Sequence, residues 1–154
     1  MQKTKVGHRV GARIVEVAIL VALPITCHYV IPVMTVVPGS YSDLGLVLML
    51  VGLALMTWVS MLFRGVGTSL QSHGGSPVLV TSGPFRFTRN PMYLGKLIWV
   101  VGLAVLLGSL IVFLFPVLFF VFANLVIVPL EERRMEQMLG EQFIEYKRRV
   151  RRWL

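Results

Sequence analysis

The chain has 154 residues, of which 56% are hydrophobic and only 14% are charged, and its mean hydropathy is +0.78. A soluble globular domain carries about a quarter charged residues, so this composition indicates an all-α integral membrane protein with one membrane domain, 1–154. The net charge of +8 fits basic segments on an anionic membrane surface better than a nucleic-acid partner. The one cysteine, Cys27, excludes an intramolecular disulfide.

Four apolar segments predict about four transmembrane helices. The predicted parts, in chain order, are a basic N-terminus at 1–13, two spans at about 14–37 and 44–63, a polar loop at 64–90, an apolar stretch at 91–130 and a charged tail at 131–154. The first span is too long for a signal-peptide core and lacks a small-residue cleavage pattern. As one helix, the apolar stretch would be roughly 60 Å long, twice the hydrocarbon thickness of a bilayer. We therefore expect a tight helical hairpin that turns near Gly108 and Ser109.

The positions of lysine and arginine predict the orientation of the chain. Four of them lie in 1–13, three in 64–90 and seven in 131–154, whereas the two remaining turns have none. By the positive-inside rule, both termini and the polar loop are cytoplasmic, and we expect the protein in a bacterial or archaeal inner membrane. Apolar side chains recur every three or four residues from Met135 to Trp153, which predicts an amphipathic helix lying on the cytoplasmic membrane surface.

Two adjacent carboxylates, Glu131 and Glu132, stand where the fourth span is expected to leave the bilayer. They are either the acidic first turn of the tail helix or a site for an ammonium or sulfonium group. The loop before the third span offers complementary groups: Arg89 for a carboxylate, the amide of Asn90 and, at Pro91, a helix start whose free N–H groups attract anions. One cytoplasmic pocket made from these parts suits a zwitterion, as methionine-derived cofactors are.

Other polar residues within the spans have weaker functional interpretations. Glu16 follows Arg13 by three residues, so a pair between them is the simple explanation, and a proton- or cation-binding site of a small four-span exporter is the alternative. No second cysteine or nearby histidine completes a ligand set around His28, so no metal site is predicted. Asn124 lies deep in the fourth span and either bonds another helix or lines the pocket.

Two blocks of sequence resemble the isoprenylcysteine carboxyl methyltransferase family, which belongs to a wider group with the phospholipid N-methyltransferases. The first is L-V-T-S-G-P-F-R-F-T-R-N-P-M-Y-L-G at 79–95, and the second is E-E-R-R-M-E-Q-M-L-G-E-Q-F-I-E-Y-K-R-R-V at 131–150. The resemblance covers about 63–154. It implies a membrane-embedded methyltransferase that uses S-adenosylmethionine, releases S-adenosylhomocysteine and acts on a lipid or other lipophilic acceptor. It also implies a cofactor site lined by Arg89, Asn90, Pro91, Tyr93, Leu94, Gly95, Glu131 and Glu132.

The two blocks depart from the family pattern in two places. Asn90 replaces a histidine, so a proton role that needs a titrating side chain near neutral pH is not available there. Phe143 stands where a tyrosine is usual and removes one hydroxyl. The N-P-M-Y segment also resembles the phospholipid N-methyltransferases, so the motif leaves the acceptor open.

The expected reaction is a direct displacement, in which the protein aligns donor and acceptor and excludes water. Arg89 and Glu132 are the expected catalytic residues, because an amine acceptor must lose a proton and Glu132 could take it. Two other classes stay open: an NADPH-dependent membrane reductase and a small transporter working through Glu16. Mutation of Glu16 should abolish transport, whereas a methyltransferase should hardly depend on it.

Overall fold

The computed structural model describes residues 15–16, 18–31, 34–65 and 78–154, and within these ranges the chain is helical with no strand beyond one isolated bridge. The predicted basic N-terminus and residues 66–77 of the polar loop lie outside the described residues. Five helices are present in the described part of the chain: α1 Ala18–Val30, α2 Ser42–Gly65, α3 Pro91–Leu107, α4 Leu110–Leu139 and α5 Glu141–Arg149.

The long helices are apolar and yet largely exposed, as expected for helices that face lipid. On α2 the side chains of Leu50 and Trp58 are 65% and 49% exposed, and on α4 Leu125 is 67% exposed. A soluble protein rarely leaves such extensive apolar surface in water, so the exposure agrees with a membrane protein. Helices α2 and α4 are long and apolar enough to cross a membrane, whereas α1 and α3 are shorter; the expectation of four spans rests on the sequence.

The chain turns between α3 and α4 at Gly108 and Ser109, the pair at which the sequence predicts the turn. Gly108 has a φ of +65°, a left-handed conformation that glycine adopts at little cost. The turn is held by the connection between α1 and α2: the Val36 N–H donates to the Gly108 carbonyl at 2.8 Å, and the Leu110 N–H donates to the Met34 carbonyl at 3.2 Å. These two connections therefore meet at one end of the helices, and the opposite end carries the polar residues discussed below.

Helices α2 and α3 pack closely because glycines face each other along their contact. A Cβ atom at Gly52 would lie 2.6 Å from the Gly95 carbonyl oxygen, and one at Gly102 would lie 2.7 Å from the Gly45 carbonyl oxygen. Small residues at such contacts let helix backbones approach, which is how helices associate in membranes. This glycine-lined contact between α2 and α3, the seam, fixes the position of α3 and so the position of its N-terminal end.

Two prolines within helices are each preceded by a widened, π-type turn. Ala18–Ala22 precedes Pro24 in α1, and Ala123–Ile127 precedes Pro129 in α4. A proline ring clashes with the carbonyl four residues earlier, and the wider turn moves that carbonyl away. As a result α4 passes its proline without ending.

The predicted tail helix at 131–154 is not one helix. Helix α4 runs unbroken through residue 131 and ends at Leu139, so Glu131 and Glu132 do not form the first turn of a tail helix. Gly140, with a φ of +55°, separates α4 from α5, and the backbone becomes extended at Val150. Residues 151–153 then return to the start of α3, which the amphipathic pattern could not show.

Candidate functional site

Three segments meet at the polar end of the molecule: the turn at 83–90, the part of α4 around residue 131, and the C-terminal segment, residues 150–154. The turn is anchored by an apolar cluster of Val59, Val80 and Phe85. Pro91 is fully buried and begins α3, where its missing N–H costs nothing. The turn thus presents its polar residues toward α4.

Glu132 is the centre of the polar contacts and is only 6% exposed. Its Oε1 lies 3.2 Å from Nη1 of Arg89, and its Oε2 accepts a hydrogen bond from Nη2 of Arg152 at 2.8 Å. Arg152 Nε also donates to Oε1 at 3.3 Å. A buried carboxylate requires such partners, and here two guanidinium groups surround one carboxylate, which leaves the cluster with one surplus positive charge.

Arg89 keeps unused donors in this cluster. Its side chain is 11% exposed, and its Nε and Nη1 are buried with no correctly aligned hydrogen-bond acceptor among the described residues. Nη1 is close to Glu132 but misaligned for a hydrogen bond. A buried donor without a partner is costly, and a guanidinium with such donors favours an anionic partner such as a carboxylate or phosphate. The arrangement fits an anionic ligand group beside Arg89.

The second carboxylate, Glu131, is held by the start of α3 rather than by an arginine. The Tyr93 hydroxyl donates to its Oε1 at 2.7 Å, and Glu131 is otherwise exposed. Adjacent residues of α4 therefore have different surroundings, since Glu132 is paired with two arginines and Glu131 is bonded by an uncharged hydroxyl. Of the two carboxylates, Glu131 is the one exposed to a cation from solvent.

The C-terminal segment fastens the turn to α4. The backbone carbonyl of Arg152 accepts hydrogen bonds from the Thr88 hydroxyl and the Asn90 side-chain amide, both at 3.0 Å. The Trp153 indole N–H donates to Oδ1 of Asn124 at 3.0 Å. Asn124 therefore bonds the C-terminal segment, a partner other than the helix or the pocket expected from the sequence, and the amide of Asn90 is used within the protein.

Helix α5 contacts the turn at 83–90 and helps to hold it in place. The Tyr146 hydroxyl donates to the Phe85 carbonyl at 2.8 Å, and Phe143 is 4% exposed beside it. Burial raises the pKa of the Tyr146 hydroxyl to about 12, against a smaller lowering by the charge of Arg89. The hydroxyl stays protonated, and so remains a donor, over the whole physiological pH range.

The remaining predicted site residues take structural positions. Leu94 donates its N–H to the Asn90 carbonyl within the first turn of α3. Gly95 lies in the seam with α2, where a Cβ atom would be 2.8 Å from Cγ of Met56. Close helix packing therefore accounts for the glycine of this motif without a ligand.

Sequence reasoning missed two residues with ion pairs. Arg152 was only one of seven basic residues of the tail, and nothing in its spacing signals a contact with Glu132. Lys96 pairs with Glu16, whereas the predicted partner, Arg13, lies outside the described residues. Both pairs join residues that are far apart in the chain, which a local pattern does not reveal.

Comparison with known proteins agrees with the sequence blocks that form this site. The family model described as phospholipid methyltransferase matches residues 42–142. The chain is 43% identical over 78 residues to protein-S-isoprenylcysteine O-methyltransferase B of Arabidopsis thaliana, covering 47% of this chain and 36% of that protein. It is 32% identical over 120 residues to protein-S-isoprenylcysteine O-methyltransferase A of the same plant, covering 71% of this chain and 56% of that protein. No solved structure matches.

The helical fold with its polar end is thus that of a membrane protein of a known family. The chain belongs to the phospholipid methyltransferase family, since the match extends over well more than half of its length. The resemblance to the isoprenylcysteine methyltransferases is confirmed by the names of the two relatives. The chain spans about a third to a little over half of the length of these relatives.

Proposed function

We propose that this chain is a membrane-embedded methyltransferase that uses S-adenosylmethionine to methylate a lipophilic acceptor at the cytoplasmic face of the membrane. The observation that carries the proposal is the buried guanidinium of Arg89, which has donors without an aligned acceptor among the described residues. It lies at the same polar end of the helices as the exposed carboxylate of Glu131. The family membership and both relatives point to the same class of reaction.

The residues around this point suit the two charges of an amino-acid group. Arg89 would hold the carboxylate with its Nε, which has no acceptor among the described residues, and Glu131 would hold the ammonium. When bound, S-adenosylmethionine supplies a methyl carbon that the positive sulfur has already activated. The protein's task is then to align the acceptor and exclude water, and the C-terminal segment closes one side of the site.

The structure suggests a different role for Glu132 from the one predicted. Both of its oxygens are engaged by arginines, so it orients Arg89 and is poorly placed to accept a proton. An acceptor carboxylate needs no base. An acceptor amine must release a proton. Glu131 is the better candidate for accepting it, because this carboxylate is exposed and, among the described residues, accepts its hydrogen bond from the Tyr93 hydroxyl.

Calorimetric titration of the full-length protein in detergent, with S-adenosylmethionine and separately with NADPH, tests the proposal. We expect the methyl donor to bind and Arg89→Gln to weaken binding by about tenfold or more, the size expected for lost charge-assisted hydrogen bonds. Arg86→Gln is the matched control, because Arg86 lies in the same turn but is exposed and should leave binding unchanged.

Substitutions of the two carboxylates test their separate roles. Glu131→Gln should weaken binding directly, while Glu132→Gln should do so by freeing Arg89 and Arg152 from their shared partner. A folded wild-type protein that ignores S-adenosylmethionine and binds NADPH would be a reductase instead. A protein that binds neither S-adenosylmethionine nor NADPH would favour a transporter that works through Glu16.

A further inference from the structure

A cleft of about 260 Å³ is lined by residues of α1, α3 and α4 and by Glu16, which precedes α1. Its walls are mostly apolar, and its polar groups are one acid, one base and one tyrosine. The lining residues are Glu16, Ile19, Leu20, Tyr93, Lys96, Phe119 and Ile127. The volume is below that of a typical pocket for a drug-sized ligand, so it suits a head group rather than a whole lipid.

The acid and the base of the cleft form an ion pair between helices. The Lys96 ammonium contacts the Glu16 carboxylate and also lies 5.2 Å from the centre of the Tyr93 ring. Their side chains are 23% and 42% exposed, so the pair is open to the cleft. An ion pair with this exposure contributes little to stability, and ionisable groups within membrane-spanning segments commonly mark a functional site.

Tyr93 connects the cleft with the candidate cofactor site. Its ring lines the cleft, and its hydroxyl donates to Glu131, the neighbour in sequence of Glu132. A group seated between Lys96 and Glu16 is therefore separated from the candidate cofactor site by a single side chain. Ile19, one of the apolar lining residues, is itself 51% exposed, so the apolar wall of the cleft reaches the surface of the protein, where an acyl or prenyl chain can lie.

We infer that this cleft is the head-group subsite for the acceptor, and that the Glu16–Lys96 pair selects a dipolar head group with one anionic and one cationic part. The inference rests on the proposed function. The anionic part would bind Lys96 and the cationic part Glu16, so the two residues exchange partners and no charge stays unpaired. A purely anionic head group would take Lys96 from Glu16 and leave the Glu16 carboxylate without its cation beside apolar walls, which is less favourable than a dipolar head group that pairs both charges.

This assignment changes one expectation drawn from the sequence. A methyltransferase was expected to depend little on Glu16, whereas the cleft makes Glu16 a determinant of which acceptor binds. Glu16→Gln retains the shape and hydrogen-bonding capacity of the side chain but removes its charge. Lys96 would then be free for an anionic head group, so the preference between head groups should shift.

The test measures binding of two dioleoyl lipids to the full-length protein in a non-ionic detergent by native mass spectrometry. Both lipids carry a phosphate diester; one has ethanolamine attached and is dipolar, and the other has glycerol attached and is anionic. We expect the wild type to bind the dipolar lipid about tenfold more tightly, as for one charge-assisted hydrogen bond. Glu16→Gln should bring the two affinities level or reverse their order.

Two further variants guard against an uninformative loss of folding. The exchanged pair, Glu16→Lys with Lys96→Glu, should restore the preference for the dipolar lipid, because both charges are again present. Asp43→Asn is the matched control, since Asp43 is exposed in the first turn of α2, away from the cleft, and should leave the preference as in the wild type.

Binding of S-adenosylmethionine, measured in parallel, distinguishes failure of the head-group subsite from failure of the proposed function. If the wild type binds S-adenosylmethionine but shows no preference for the dipolar lipid, or one that Glu16→Gln does not alter, the inference is wrong and the proposed function stands. If the preference and its loss in Glu16→Gln are seen without binding of S-adenosylmethionine, the subsite is supported and the proposed function fails. Tighter binding of the anionic lipid to the wild type would overturn the assignment outright.

Discussion

Replacing Gly52 by alanine should destabilise the protein, although alanine is the better helix former by about 1 kcal/mol. The new Cβ atom would lie 2.6 Å from the carbonyl oxygen of Gly95 and 2.7 Å from the backbone nitrogen of Trp99. Both are backbone atoms that cannot rotate away. Ordinary contact begins at 3.4 Å, so α2 and α3 must separate by about 0.8 Å. Overpacking of this kind costs about 1–3 kcal/mol, which exceeds the gain in helix propensity.

The measurement is the free energy of unfolding in mixed micelles, obtained by titration with dodecyl sulfate and followed by far-ultraviolet circular dichroism. Gly39→Ala is the control, because a Cβ atom there meets nothing within 4 Å and should leave stability unchanged. Gly95→Ala should cost less than Gly52→Ala, since its nearest atom is Cγ of the flexible Met56. A Gly52→Ala variant at least as stable as the wild type would refute the argument that close packing requires glycine here.

Two other substitutions test the supports of the candidate site. Tyr146→Phe leaves the Phe85 carbonyl without its buried donor and should cost about 1–3 kcal/mol by the same titration. In the wild type, the pKa of the Tyr146 hydroxyl is near 10 in the unfolded chain and about 12 in the folded chain. The contribution of this hydroxyl to stability is therefore fully present below pH 10 and is lost as the pH rises from 10 to 12. Tyr146→Phe should lack that part of the decline in stability. Trp153→Phe removes the hydrogen bond to Asn124 and should cost about 1 kcal/mol, with faster removal of C-terminal residues by carboxypeptidase. An unchanged digestion rate would show that this bond does not hold the C-terminal segment.

The sequence predicts well those features that depend on local composition. The apolar stretch at 91–130 is too long for one span, and Gly108 is the residue in it best suited to a left-handed turn, so the position of the hairpin follows from length and backbone geometry. The two motif blocks could be placed at the same end for the same reason, because a hairpin brings its two ends together.

The contacts made by the C-terminal segment could not be predicted in this way. The amphipathic period continues across Gly140, so the pattern alone favours one tail helix over two. The positive φ of Gly140 separates α5 from α4, and the extended backbone that begins at Val150 then brings Arg152 to Glu132. Electrostatic pairing over twenty positions depends on the path of the chain, and a residue such as Arg152 looks like any other basic residue of a membrane-surface tail.

The adjacent glutamates show how the path of one helix determines chemistry. On an α-helix, successive side chains point about 100° apart. Two adjacent carboxylates therefore contact different partners if the helix continues through both residues. Helix α4 does so, because the π-type turn at Ala123–Ile127 absorbs Pro129. Glu132 then faces Arg89 and Arg152, and Glu131 faces Tyr93. A helix that ended at the proline would free both carboxylates to turn toward solvent, and neither the cluster of Glu132 with the two arginines nor the exposed carboxylate that the proposed site requires would form.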